Sequence, residues 1–182
     1  MGIGKGKVIV MKPGSRILAA ILASALVILG AAVLAGPALT AAATKHCLTA
    51  QLRLKVVSEQ GATGHRYVDY AFRNAGTSNC TLRGYPSAVL RNKHAKPMVS
   101  SAAKVRQWSL SKIRTVTLSP GKRAFFSFEW TDADFCTGSF VFYSVRISPP
   151  GSASGLVWHA GKTGACNKSA RMSAVRPKES PF

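Results

Sequence analysis

Few residues in this chain have the types and spacing that chemistry needs. Asp132 and Asp134 form a D-x-D pair just ahead of Cys136. Two carboxylates at this spacing hold a divalent cation or divide acid and base roles in a hydrolase. The competing reading is a polar loop in which Asp132 caps a turn. A calcium site takes about six to eight oxygen ligands, more than this stretch offers. His46, His65, His94 and His159 are dispersed, and only Glu59, Asp69, Glu129, Asp132, Asp134 and Glu179 are available to orient a base. No G-x-S-x-G, H-E-x-x-H or phosphate-cradling glycine loop occurs. The chain therefore reads as non-enzymatic, with a hydrolase built on Asp132 or Asp134 as the alternative.

A second constellation suits binding better than catalysis. Trp108 stands among Lys104, Arg106, Lys112 and Arg114. An aromatic ring set among cations grips anionic sugars or single-stranded nucleic acid. Trp108 lies in a polar stretch and is expected to be exposed. Trp130 shares a strand face with Phe126 and Phe128 and is expected in the core. No nucleic-acid motif accompanies the patch, so sequence-specific nucleic-acid binding is not expected. The partners that fit are an anionic cell-wall polymer, anionic lipid headgroups or an envelope protein. No cofactor is expected.

Charge points the same way. Residues 44–182 carry 21 Lys and Arg against 6 Asp and Glu, a net of +15 within +19 for the whole chain. Such a balance bears on partners and solubility and not on fold. Its scatter along the chain also suits a merely solvated surface.

All four cysteines, Cys47, Cys80, Cys136 and Cys166, lie after residue 43. An even count in an exported chain reads as disulfides, and four cysteines allow three pairings. Cys47–Cys80 with Cys136–Cys166 is preferred, because each bond then closes one local half of the chain. No C-x-x-C pair is present, so no metal site is expected.

The elements that must position these residues read as strands. Leu52, Leu54 and Val56 alternate with Arg53, Lys55 and Val57. Val68, Tyr70 and Phe72 alternate with Asp69, Ala71 and Arg73. Phe126, Phe128 and Trp130 share one face, and so do Val141, Tyr143, Val145 and Ile147. Turn residues separate these runs: 60–64, Asn74-Ala75-Gly76, Gly84-Tyr85-Pro86, Ser119-Pro120-Gly121 and Pro149-Pro150-Gly151. Residues 91–111 are polar and irregular. A short last strand is expected at 156–158. From Ala170 the chain looks frayed, with 177–182 a flexible tail. The expected fold is an all-β, antiparallel two-sheet sandwich of the immunoglobulin-like kind over residues 44–176.

The first 43 residues differ in kind. Lys5, Lys7, Lys12 and Arg16 precede an uncharged run, and residues 17–35 are almost entirely Ala, Leu, Ile and Val. A basic start, an apolar stretch and the small residues Ala41-Ala42-Ala43 describe a secretory signal, with cleavage expected after Ala43. At 19 residues the run also approaches the roughly 20 that a membrane-spanning helix needs. An uncleaved single-span anchor would leave the N-terminus in the cytoplasm, because the cations precede the span. Both readings place the domain outside the cytoplasm, secreted or on the outer face of the membrane. Met11 opens a more ordinary signal by itself.

The run Cys80-Thr81-Leu82-Arg83-Gly84-Tyr85-Pro86 resembles the C-x-L-x-G-Y-P signature of an exported family common in actinobacteria, domain of unknown function 4232. Leu118-Ser119-Pro120-Gly121-Lys122-Arg123-Ala124 resembles its L-x-P-G-x-x-A step. Cys47, the turn at Asn74-Ala75-Gly76, the aromatic strand ending at Trp130, and Cys136 and Cys166 occur in the family's order. The resemblance covers 47–175. It implies an exported or membrane-tethered β-rich domain and no reaction. The basic turn Arg91-Asn92-Lys93 departs from it, since members often carry Asp or Gly near there. Three functions follow as expectations: a non-enzymatic binding module with a basic surface, a hydrolase using Asp132 and Asp134, or a structural or regulatory ectodomain on an uncleaved anchor.

Overall fold

The structure, a computed structural model, describes residues 44–108 and 112–178. The expected signal or anchor segment 1–43, the cut after Ala43, and residues 179–182 of the expected tail lie outside the described residues.

The described chain is all-β. The first hairpin joins β1 (Leu52–Ala62) to β2 (His65–Asn74) in antiparallel register. The turn expected over 60–64 contracts to Thr63-Gly64, with φ of 48° and 80°. Two consecutive positive φ angles match the twist of the flanking strands, so the hairpin closes tightly. The alternation read for β1 breaks at Val57, an extra residue between the pairs Val56↔Tyr70 and Ser58↔Asp69. This bulge leaves Val56 exposed at 45%, where the alternation placed it inside.

The remaining strands are β3 (Cys80–Arg83), β4 (Ser87–Arg91), β5 (Arg106–Gln107), β6 (Thr115–Leu118), β7 (Arg123–Thr131), β8 (Ser139–Ser148), β9 (Leu156–Cys166) and β10 (Arg171–Met172). They form three hydrogen-bonded sheets instead of the expected two: β1-β2-β7-β10-β5, β4-β8-β9, and the pair β3-β6. Every pairing is antiparallel except β10 with β5. Gly84-Tyr85-Pro86 accounts for the division. Gly84 has φ of 102°, a conformation glycine adopts without a Cβ clash, and Pro86 has no N–H to give a ladder. The chain therefore leaves the β6 pairing before Tyr85 and enters the β8 pairing after Pro86.

Aromatic side chains of the five-stranded sheet meet those of the three-stranded sheet. Tyr70 meets Trp158 edge-on at 5.4 Å and Trp130 meets Phe142 at 5.8 Å, while within the five-stranded sheet Phe72 stacks on Phe126 with centroids 4.6 Å apart. Tyr70, Phe72, Phe126, Phe128, Trp130 and Phe142 are all buried. Burying each such side chain is worth about 1.5–3 kcal/mol, so this cluster carries much of the driving force.

Tyr70 offers a test of that core. Its hydroxyl is buried with no hydrogen-bond partner among the described residues. Burial first, and the charge of Glu59 second, raise the phenol well above its ordinary value. A raised folded-state value means the folded chain keeps the proton longer. The associated stability is complete below about pH 10 and is lost as the pH rises through the folded value. Tyr70→Phe keeps both ring contacts and removes the orphaned hydroxyl. We expect it to raise stability at neutral pH by about 1 kcal/mol and to shift alkaline unfolding to higher pH. Denaturant melts across the alkaline range would show this; a loss of stability would mean that the hydroxyl is satisfied.

Two expectations fail at the C-terminal end. The last pairing strand is not limited to 156–158: β9 runs to Cys166 and is antiparallel to β8 over most of its length. Its Ala-Gly-Lys-Thr-Gly-Ala run has weak strand character by composition, and pairing with β8 overrides it. Nor is the chain frayed from Ala170. Ala170, Met172, Ser173, Ala174 and Val175 are buried. Arg171–Met172 lies between β7 and β5, and Arg176 bridges to Phe125. Short, small and polar residues hid a strand whose partners lie far away in sequence.

Candidate functional site

The polar stretch that carries the basic patch owes its position to that C-terminal segment. The backbone N–H of Lys168 donates to Ala102 at 2.7 Å, that of Arg106 to Ala170 at 3.0 Å, and that of Trp108 to Met172 at 2.8 Å. Lys112 and Arg114 then line a cleft with residues 173–177. The two stretches run alongside each other in the same direction, and β5 with β10 is the strand-like part of the run. Lys104, Arg106, Lys112 and Arg114 are all exposed along it. Charge on β5, an edge strand, also blocks pairing with other chains.

Trp108 departs from expectation. It is half-buried, and the Arg171 guanidinium lies 4.7 Å from its ring centroid. Its carbonyl accepts the Tyr85 hydroxyl at 3.2 Å, and Val175 N–H donates to Gly84 at 2.9 Å. The ring already has a cation from its own chain. Tyr85, Trp108 and the C-terminal segment pack as one unit.

Sequence reading passed over the residues that organise this face. Glu129 is 1% exposed and accepts two hydrogen bonds from Arg171, with Nη2 to Oε1 at 2.7 Å. His65 Nδ1 lies 3.1 Å from the same carboxylate. The hydrogen bond to Glu129 holds the Arg171 guanidinium above its ordinary value. Burial, followed by the nearby Glu129 charge, raises the Tyr67 phenol. Asp69 is 6% exposed; it accepts hydrogen bonds from Arg176 at 2.9 Å, from Ser58 at 3.2 Å and from the Ser127 hydroxyl. The available signal was an acid flanked on both sides by apolar or aromatic residues, Val68-Asp69-Tyr70 and Phe128-Glu129-Trp130, in a chain with six acids. The partners Arg171 and Arg176 were hidden in the segment read as frayed.

The D-x-D pair does not converge. The Asp132 carboxylate accepts from Arg66 Nε at 2.9 Å, a hydrogen bond that raises the guanidinium, and Asp132 makes no side-chain cap. Asp134 is exposed. Among the described residues no group of three or more His, Cys, Asp or Glu is placed to hold a metal ion. The disulfides join Cys47 to Cys80 and Cys136 to Cys166.

The cations gather around two adjoining clefts. One, of about 310 Å³, takes Lys112 and Arg114 on its walls beside residues 173–177. The other, of about 520 Å³, is lined by Lys122, Arg123, Gly121, Val116 and Phe125. Pro177 borders both. Arg73 lies directly opposite Arg123 across β2 and β7, and its guanidinium passes close to Gly121. Asp69, Glu129 and Asp132 are spent on Arg176, Arg171 and Arg66, and among the described residues no ion pair neutralises Lys112, Arg114, Lys122 or Arg123.

The family described as Domain of unknown function (DUF4232) matches residues 47–176 of this chain. The chain belongs to that family. Comparison with curated proteins and with solved structures returned no match. The DUF4232 region opens at Cys47, the first disulfide cysteine, and closes at Arg176, the partner of Asp69. The basic stretch and the C-terminal segment that positions it both fall inside it. The two disulfides of this DUF4232 domain suit an oxidising, extracytoplasmic compartment.

Proposed function

We propose that this DUF4232 domain is an exported, non-enzymatic binding module that captures an anionic envelope component through its basic surface. One observation carries the reading: the buried acids Glu129 and Asp69 are neutralised internally by Arg171 and Arg176, and among the described residues no ion pair cancels the charge of the exposed Lys104, Arg106, Lys112 and Arg114. In this reading residues 1–43 serve as signal or anchor, and the facing sheets serve as an immunoglobulin-like scaffold. Lys104, Arg106, Lys112 and Arg114 contact the ligand, and Trp108 holds their strand in place by packing.

Long-range attraction of this kind is screened by salt. Binding of a soluble polyanion such as heparin to the mature domain is expected to weaken at least about tenfold between roughly 0.05 M and 0.5 M salt, as its sulfate and carboxylate contacts lose their counterion-release advantage. Titration calorimetry at the two salt concentrations measures this. Equal affinity at both would remove the electrostatic basis of the proposal.

A further inference from the structure

We infer that the ligand seat is the pair of clefts meeting at Pro177, and that it takes a linear glycan or polyol polymer bearing a phosphate or carboxylate on each repeat, laid across that proline. The inference rests on the binding-module reading and gives it a place and a ligand class.

Three features converge. The cations occur in sets on each side of Pro177, Lys112 and Arg114 in one cleft and Lys122 and Arg123 in the other. A chain with charges repeated along its length meets both sets, whereas a single small anion meets one. The sets stand exposed on the walls of two open clefts joined at Pro177, a continuous track along which a narrow chain can lie. Val116, Phe125 and Val175 add apolar wall between the charges, which suits the carbon skeleton of a glycan or polyol. The second feature is the cross-strand pair Arg73↔Arg123 at the rim of the larger cleft. Like charges directly opposite on neighbouring strands destabilise a sheet, and an anion seated between them reverses the sign of that interaction. The third is the commitment of Arg176. Its guanidinium turns inward to Asp69 and Ser127, which fixes the wall between the clefts and leaves the outer cations to the ligand. Nucleic acid fits less well, because base stacking needs an open ring and the Trp108 ring is already covered by Arg171.

The test uses the mature domain and two fluorescent oligomer series of graded length, poly(glycerol phosphate) and oligogalacturonate. These arms separate phosphate from carboxylate as the recognised group. Affinity for at least one series is expected to rise steeply with length and then level off, because a second cleft engages at high effective concentration. Lys112→Gln with Arg114→Gln, and separately Lys122→Gln with Arg123→Gln, are each expected to weaken binding by about tenfold or more. Lys93→Gln with Lys96→Gln removes the same charge from an exposed turn that lines neither cleft, and is expected to cost less than about threefold. Thermal melts check that each variant folds. Equal losses in all three variants would overturn the seat while leaving a charge-driven binding module intact. Sensitivity to one cleft alone, with no length dependence, would overturn the spanning chain. Tighter binding of a single-stranded oligonucleotide through the same cations would overturn the polymer class. Failure to bind any polyanion would remove the parent reading as well.

Discussion

A chain ending at Ala170 is expected not to fold, although its last residues look dispensable by composition. The cut removes β10, which fills the place between β7 and β5, and it removes Met172 and Val175 from the core. It also strips the guanidinium partners from two buried carboxylates. Glu129 loses Arg171, and Asp69 loses Arg176. Leaving a buried charge without its partner costs about 3–5 kcal/mol. Two such losses total about 6–10 kcal/mol, against the whole stability of a domain, about 5–15 kcal/mol. The lost apolar burial adds to this. The chain ending at Lys178 keeps every one of these contacts and is the control. Circular dichroism with denaturant melts distinguishes the two. Cooperative unfolding of the shorter chain near the midpoint of the control would show that the segment is an ornament and that the carboxylates find other partners.

Loss of Cys47–Cys80 is the second large effect. The bond closes a loop with a sequence separation of 33 residues, and removing that constraint frees about 4 kcal/mol of unfolded-chain entropy. Both cysteines are buried in the core beside Leu82 and Leu118, so a paired Cys→Ala change also leaves a small void. Cys136–Cys166 spans 30 residues and carries nearly the same entropy term, but Cys136 is exposed. The two bonds should therefore part company in reactivity. Under a mild thiol reductant in native buffer, Cys136–Cys166 is expected to open first and Cys47–Cys80 only with global unfolding, because a thiolate must reach the sulfur it attacks. Timed alkylation followed by peptide mass mapping reads the order directly. Prior opening of Cys47–Cys80, or a loss below about 1 kcal/mol for its double Ala variant, would contradict this account.

Much of this protein is written locally. Val68-Asp69-Tyr70-Ala71-Phe72 and Phe126-Ser127-Phe128-Glu129-Trp130 alternate with a period of two, and a backbone that buries one face has no other way to use that pattern. Gly84-Tyr85-Pro86 announces a break because a positive φ and a missing N–H are properties of those residues themselves. The excess of Lys and Arg, and an even cysteine count in two local halves, are likewise visible without a fold.

The tertiary structure decided what depends on distant partners. Ala170-Arg171-Met172-Ser173-Ala174-Val175 has too little apolar area and too short a run to declare a strand; β7 and β5 make it one. The parallel pairing of β5 with β10 joins stretches more than sixty residues apart, a separation over which no periodic pattern carries information. Trp108 looked open beside its cations until Arg171 came to lie over its ring. Asp69 and Glu129 stood in the sequence only as two of the few acids available to orient a base, and in the fold they are buried with Arg176 and Arg171 as their partners. The cations of the two clefts stand tens of residues from Arg73 and from Pro177 in sequence, so only the folded chain brings them together. Local steric preference is a property of a few neighbouring residues and can be read from them; burial and charge pairing are properties of contacts, and the contacts exist only after the chain has closed on itself.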